Sequence, residues 1–220
     1  MIVAAQPVCL DVAADPSGNF VVTWASDLQD GSSFGVFGQR YASTGTPLGT
    51  EFRVNSYTTN SQSIPAVAAD ASGGFVVAWT SDAQDGSSRG VFGQRYAGSG
   101  ASLGPEFRIN TFTPGLQEIP RVAVDASGNF VVVWDSGGQD GSSTGVFGQR
   151  YDSSGSPLGL EFRANTTTAN EQSASSVAVN AAGNFVIVWN GDTQDGSGFG
   201  VFGQRYAPIL PVELMHFRVE

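Results

Sequence analysis

No lysine occurs anywhere in these 220 residues: the ten basic side chains are all arginine, against 20 acids, for a net charge of −10 and a pI near 4.3. A chain of that sign repels a nucleic-acid backbone and an anionic bilayer, so no nucleic acid and no membrane insertion are expected. Cysteine is reduced to Cys9, which excludes an internal disulfide. Histidine is reduced to His216, so neither a Ser/His nor a Cys/His arrangement is assembled. No apolar run approaches the roughly 18 residues of a membrane span. Residues 1–5 are too short for the charged start and apolar core of an export signal. The chain starts and stops at repeat boundaries, from which we expect a piece of a longer exported protein with its signal upstream.

What is present is a repeat. The stretch from Gln29 to Tyr41 returns almost letter for letter at Gln84–Tyr96, Gln139–Tyr151 and Gln194–Tyr206. The step is constant, since 91 − 36, 146 − 91 and 201 − 146 each give 55 for the valine of the motif. Trp24, Trp79, Trp134 and Trp189 obey it, as do Phe20, Phe75, Phe130 and Phe185. Four units of 55 residues fill the chain, and a fixed period of this order marks a solenoid, a propeller or an array.

Within the unit 63–117, Ile64 to Ala69 reads as a strand, Asp70 to Gly74 as a tight turn, and Phe75 to Trp79 as a wholly apolar strand buried on both faces. A loop over Thr80 to Gly90 leads to a third strand, Val91 to Tyr96, with Gly93 permitting close backbone approach. Glu106 to Asn110 is the fourth. The predicted fold is therefore all-β, a single domain over 1–220 forming a β-propeller of four four-stranded antiparallel blades, at about 1–62, 63–117, 118–172 and 173–220. Tandem β-sandwiches are the runner-up, although 55 residues are few for a free-standing sandwich. The last unit is expected to hold register to its end, with His216, Phe217 and Arg218 falling where Glu51, Phe52 and Arg53 fall. Four blades closing alone, two chains forming a ring of eight as a homodimer, and a cut from a longer array all stay open.

The units resemble the tandem repeats of large bacterial secreted and cell-surface proteins, in which Phe-Val-Val-x-Trp, Gln-Asp-Gly and Gly-x-Phe-Gly-Gln-Arg-Tyr recur in that order. All four units share the resemblance, and the tail from Leu210 to Met215 resembles the junction before C-terminal sorting regions of exported bacterial proteins. The resemblance implies a secreted or cell-surface location. The Gln-Asp-Gly loop also resembles the Asp-box of sialidases and related propellers, though no Trp closes it here, and that element is a folding device rather than an active site.

Candidate chemistry sits on the loops. Asp27, Asp30, Asp82, Asp85, Asp140, Asp192 and Asp195 offer hard oxygens to calcium, the one cofactor considered. Asp-Gly-Ser is equally what a plain turn needs, the carboxylate capping backbone N–H groups, and Gly137 breaks the acid pattern in the third unit. Residues that vary between units mark a binding surface for a glycan or a surface protein: Phe34, Arg89, Thr144 and Phe199 in the loops, Tyr57, Phe112 and Thr167 between units. The recurring arginines, Arg40 and Arg53 with their repeats, read as pairing with Asp or Glu between strands, and the tryptophans as core. The acids that break the repeat, Asp11, Asp135 and Asp152, form no evident group. The expectation is a binding or adhesion module that is not an enzyme, with a structural spacer as the alternative and a polysaccharide-active enzyme third.

Overall fold

The computed structural model describes residues 7–207 and the backbone of 211–216. All regular structure there is strand. The first sheet holds β1 (Pro7–Ala14), β2 (Phe20–Asp27), β3 (Phe34–Tyr41) and β4 (Phe52–Arg53). The second holds β5 (Gln62–Ala69), β6 (Phe75–Asp82), β7 (Arg89–Tyr96) and β8 (Phe107–Arg108). The third holds β9 (Gln117–Val124), β10 (Phe130–Gly137), β11 (Thr144–Tyr151) and β12 (Phe162–Arg163). The fourth holds β13 (Gln172–Val179), β14 (Phe185–Asp192), β15 (Phe199–Tyr206) and β16 (Pro211–His216). Each sheet is antiparallel and ordered as the chain runs, so all neighbours are joined by short connections.

The sheets stack like blades. The first strands lie side by side, β1 against β5, β5 against β9 and β9 against β13. The turns that follow them, at Asp15, Asp70, Asp125 and Asn180, rim one shared opening of about 370 Å³. Every sheet has a leading face, toward the sheet before it, and a trailing face, toward the sheet after it. In the second seam, trailing residues Val76, Ala78, Val91 and Ile109 pack on leading residues Phe130, Val132, Trp134 and Phe147. The other two seams repeat this set. The second strand is apolar at successive positions because both its faces meet such a seam, which is why β6 and β10 are buried almost throughout.

Glycine permits the tightest contact. A methyl group at Gly148 would lie 2.8 Å from the Phe162 ring and 3.2 Å from a Val133 methyl. Gly148→Ala is accordingly expected to destabilise the fold by about 1–3 kcal/mol through overpacking. Urea unfolding followed by circular dichroism measures it, and an unchanged midpoint would contradict the packing described.

The last unit departs from expectation. Its fourth strand pairs Phe202 with His216 and Gly203 with Met215, whereas the first sheet pairs Phe37 with Arg53 and Gly38 with Phe52. The repeat would have set Arg218 opposite Phe202, so the register is two residues early. The reason lies in the preceding turn, where Gly45 and Gly49 take φ of 82° and 84°. Leu210 and Leu214 hold those places in the last unit. Leucine is strained in the left-handed region, so at Leu214, within β16, the chain stays extended alongside β15. Residues 217–220, with Phe217 and Arg218, and Leu210 lie outside the described residues.

Candidate functional site

The Gln-Asp-Gly loops are built as polar hubs. Asp30 accepts a hydrogen bond from the Ser32 N–H at 3.2 Å and another from Asn55 Nδ2 at 3.2 Å. Asn55 in turn accepts from the Val36 N–H at 2.7 Å and donates to Gln62 Oε1 at 3.1 Å, tying the loop to β3 and to the next sheet. Asp85 with Asn110, and Asp140 with Asn165, repeat the contact, and Asp195 accepts from the Ser197 N–H. Asn55, Asn110 and Asn165 are each 1% exposed, so the hub satisfies polar groups that the seam removes from water. Asp27, Asp82 and Asp192 end the second strands, opposite Phe34, Arg89 and Phe199. Among the described residues no three His, Cys, Asp or Glu side chains gather as a metal would need.

The varying loop residues stand at the starts of the third strands rather than at loop tips. Arg89 reaches across to the third sheet, and Phe34, Thr144 and Phe199 hold the same strand position. Phe34 and Thr144 are half-buried, while Phe199 is 65% exposed. Tyr57, Phe112 and Thr167 are half-buried in the connections, where their carbonyls accept from Asn55, Asn110 and Asn165.

The arginine pairing differs from expectation. Arg40 donates to the carbonyls of Gly98 and Ser99 in the next sheet, and Arg95 to those of Ser153 and Ser154, so these residues hold sheet to sheet through turn carbonyls rather than carboxylates. The ion pairs described are both made by Arg89, whose Nε lies 3.1 Å from Asp82 Oδ1 and whose Nη1 contacts Glu118 Oε2.

Glu118 is the cross-strand neighbour of Asp135, which is 4% exposed and accepts from the Ala174 N–H at 3.0 Å and Ser175 Oγ at 3.4 Å in the fourth sheet. Asp82, Arg89, Glu118 and Asp135 thus run from the second sheet into the third, and Asp135 reaches the fourth through Ala174 and Ser175. Burial pushes the Asp135 carboxyl up to about 6, against the hydrogen bonds from Ala174 and Ser175, with the Glu118 charge adding to the rise. The hydrogen bond to Glu118 leads in raising the Arg89 guanidinium above its usual value, so that group stays charged. The group therefore holds a fixed cation, the acids Asp82 and Glu118 in contact with it, and a buried carboxyl raised to about 6.

Asp135 thus belongs to a group after all. Asp11 and Asp152 do not: Asp11 accepts from the Val67 N–H between the first two sheets, and Asp152 caps its own turn through Ser154 and Ser156. Glu118 was missed in the sequence. Its signal was available, because Val8, Ser63 and Ser173 stand at its repeats and Ala25, Thr80 and Asn190 at those of Asp135.

No family model matches this chain, and no curated protein matches its sequence. Solved structures do match in fold. A Dyadobacter fermentans protein of unknown function superposes with a TM-score of 0.64 at 11% identity, over 93% of this chain and 66% of that one. A Hadza microbial sialidase gives 0.62 at 14%, over 96% and 46%. The endo-arabinase of Bacteroides thetaiotaomicron gives 0.52 at 12%, over 94% and 75%. The chain spans less than two thirds of the first and the second of these proteins. The likenesses show a propeller-like fold built from repeated antiparallel sheets. They also correct the expectation that the chain is not an enzyme: a sialidase and an arabinase share this fold, so the absence of a His- or Cys-based motif gives no ground for excluding catalysis.

Proposed function

We propose that this chain is a carbohydrate-directed propeller module that engages its glycan at the seam between the second and third sheets. The observation that carries the reading is the group Asp82, Arg89 and Glu118 at that seam, where Arg89 and Glu118 break the repeat in favour of charge, with Asp135 the cross-strand neighbour of Glu118 and directed toward the fourth sheet. A guanidinium beside carboxylates offers fixed donors and acceptors, which is what a polyhydroxylated ligand requires. Arg89 is 42% exposed at its side chain and Asp82 36%, so the outer part of the group faces solvent. The fold shared with a sialidase and an arabinase supports a sugar as the ligand class, and the resemblance to bacterial surface repeats supports an extracellular setting.

A polysaccharide-active enzyme is the second reading, favoured by Glu118 and Asp135 being cross-strand neighbours, with burial raising the Asp135 carboxyl to about 6, a pair of acids being what glycoside hydrolysis uses. A glycan array with calcium and with a chelator, followed by a reducing-sugar assay on the glycans that bind, tests both. We expect binding that Arg89→Ala weakens by about tenfold or more, as loss of a charge-assisted contact does. Calcium dependence would assign the loop carboxylates Asp30, Asp85, Asp140 and Asp195 a metal. Absence of binding and of sugar release in either buffer would refute a carbohydrate role and leave a structural spacer.

A further inference from the structure

The three internal seams join one kind of trailing face to one kind of leading face. Among the described residues, the two outermost faces are exposed. On the fourth sheet's trailing face Phe199 and Val201 are 65% and 40% exposed, although Val36, Val91 and Val146 at the repeats of Val201 are all at 0%. On the first sheet's leading side Val8, Leu10 and Val12 are 40%, 68% and 59% exposed, whereas Val67, at the repeat of Val12, is at 6%. No packing like that of β9 on β13 joins β13 to β1.

We propose that these two faces are the halves of one further seam, formed head to tail between two copies of this chain. Continuity with the internal seams argues for that occupant, because Val201 and Val12 repeat valines that the internal seams bury. The differences from the internal seams argue for it as well. Where the second seam sets Arg89 against Glu118, the open faces carry Phe199 and Val8, so an ion pair gives way to an apolar pair. Two such copies each carry −10, and an apolar contact is what lets like-charged chains approach.

The polar groups match too. Arg205, exposed on β15, repeats Arg40 and Arg95, which donate to turn carbonyls of the following sheet. The matching carbonyls on the first sheet are those of Ser43 and Thr44. Asn190, also exposed, repeats Thr80 and Asp135, whose oxygens accept the N–H groups of the bulge residues Ile119 and Ala174. On β1 the bulge residue is Cys9, with a positive φ of 52° beside 57° at Ile119 and 53° at Ala174. A head-to-tail contact of this kind is heterologous, using two different surfaces of each copy.

Sedimentation analysis of the 220-residue chain across a concentration series is the test. We expect a species of at least two copies of 22.9 kDa. Val201→Arg and Leu10→Arg should each weaken association about 100-fold or more by burying a charge in the seam, with the melting temperature of the single copy unchanged. An equal mixture of the two variants should recover the two-copy species, since one retains a good leading face and the other a good trailing face. A single-copy mass throughout, association indifferent to both variants, or a mixture that stays single would overturn the proposal. So would a single-copy chain whose melting temperature falls with Val201→Arg, because that chain would be closing its own ring.

Discussion

Trp134→Ala is expected to lower the unfolding free energy by about 3–5 kcal/mol, the range for emptying a fully buried aromatic site. Trp134 is 0% exposed and packs in the second seam against Val76, Ala78 and Val91 of the sheet before it, as well as against its own sheet. Trp24→Ala, at the same repeat position, should have about half that effect. Trp24 is only half-buried, because among the described residues no sheet packs on the leading face of the first. Urea unfolding monitored by far-ultraviolet circular dichroism compares the two without relying on the fluorophore removed. Equal losses at low protein concentration would mean that the first sheet's leading face is covered within a single chain. A Trp24→Ala loss that grows with protein concentration would accompany head-to-tail pairing.

Asp135→Asn is expected to stabilise the protein above pH 6.5 and to leave it nearly unchanged below pH 4. The carboxyl's value near 6 in the folded chain, against 3.8 ordinarily, means that the folded state holds this proton longer than the unfolded state. The folded state is therefore favoured by this group at low pH, and that advantage is lost as pH rises from about 4 to about 6, by on the order of 2–3 kcal/mol. Asparagine has no charge to bury, and its side-chain oxygen can still accept the Ala174 N–H. Asp15 and Asp152 contribute with the opposite sign, each held below its usual value chiefly by a side-chain hydrogen bond, from Asn19 and from Ser154. The raw profile of stability against pH is thus a sum, and the difference between wild type and variant isolates Asp135. Parallel profiles would show that the carboxyl titrates normally. Asp135→Ala should be worse than Asp135→Asn at every pH, because it leaves the Ala174 N–H without its acceptor.

Much of the fold was legible because it is local. The unbroken apolar run Phe75–Trp79 and the turn glycines concern neighbours in one hairpin, and the structure places strands there, extending them by a few residues to Gln62, Asp82 and Arg89. The short fourth strand was overestimated: Glu106 to Asn110 reduces to Phe107–Arg108, since beyond it Asn110 turns inward to serve the loop hub. The last unit's register was misjudged for a reason visible only in retrospect, as an alignment of letters ignores that Leu210 and Leu214 stand where glycine had taken a left-handed conformation.

The candidate site was less legible. Arg89 was singled out as a variable residue and Asp135 as an isolated acid. Nothing in their separation of 46 positions, from 89 to 135, shows that Glu118 stands between them. Repetition also hid the partners of Arg40 and Arg95, since the acceptors are backbone carbonyls, which every residue carries and no sequence marks.

By itself the sequence determined the period, the strand-and-turn alphabet of each unit and the net charge, since these depend on side-chain chemistry and on contacts between near neighbours in the chain. Only the tertiary structure decided which equal letters become unequal environments. Trp24 and Trp134, or Val201 and Val146, are the same residue at the same repeat position, yet one of each pair is sealed and the other is not. Burial in a stack of sheets is set by whether a neighbouring sheet exists on that side, and that is a property of position in the array rather than of the residue.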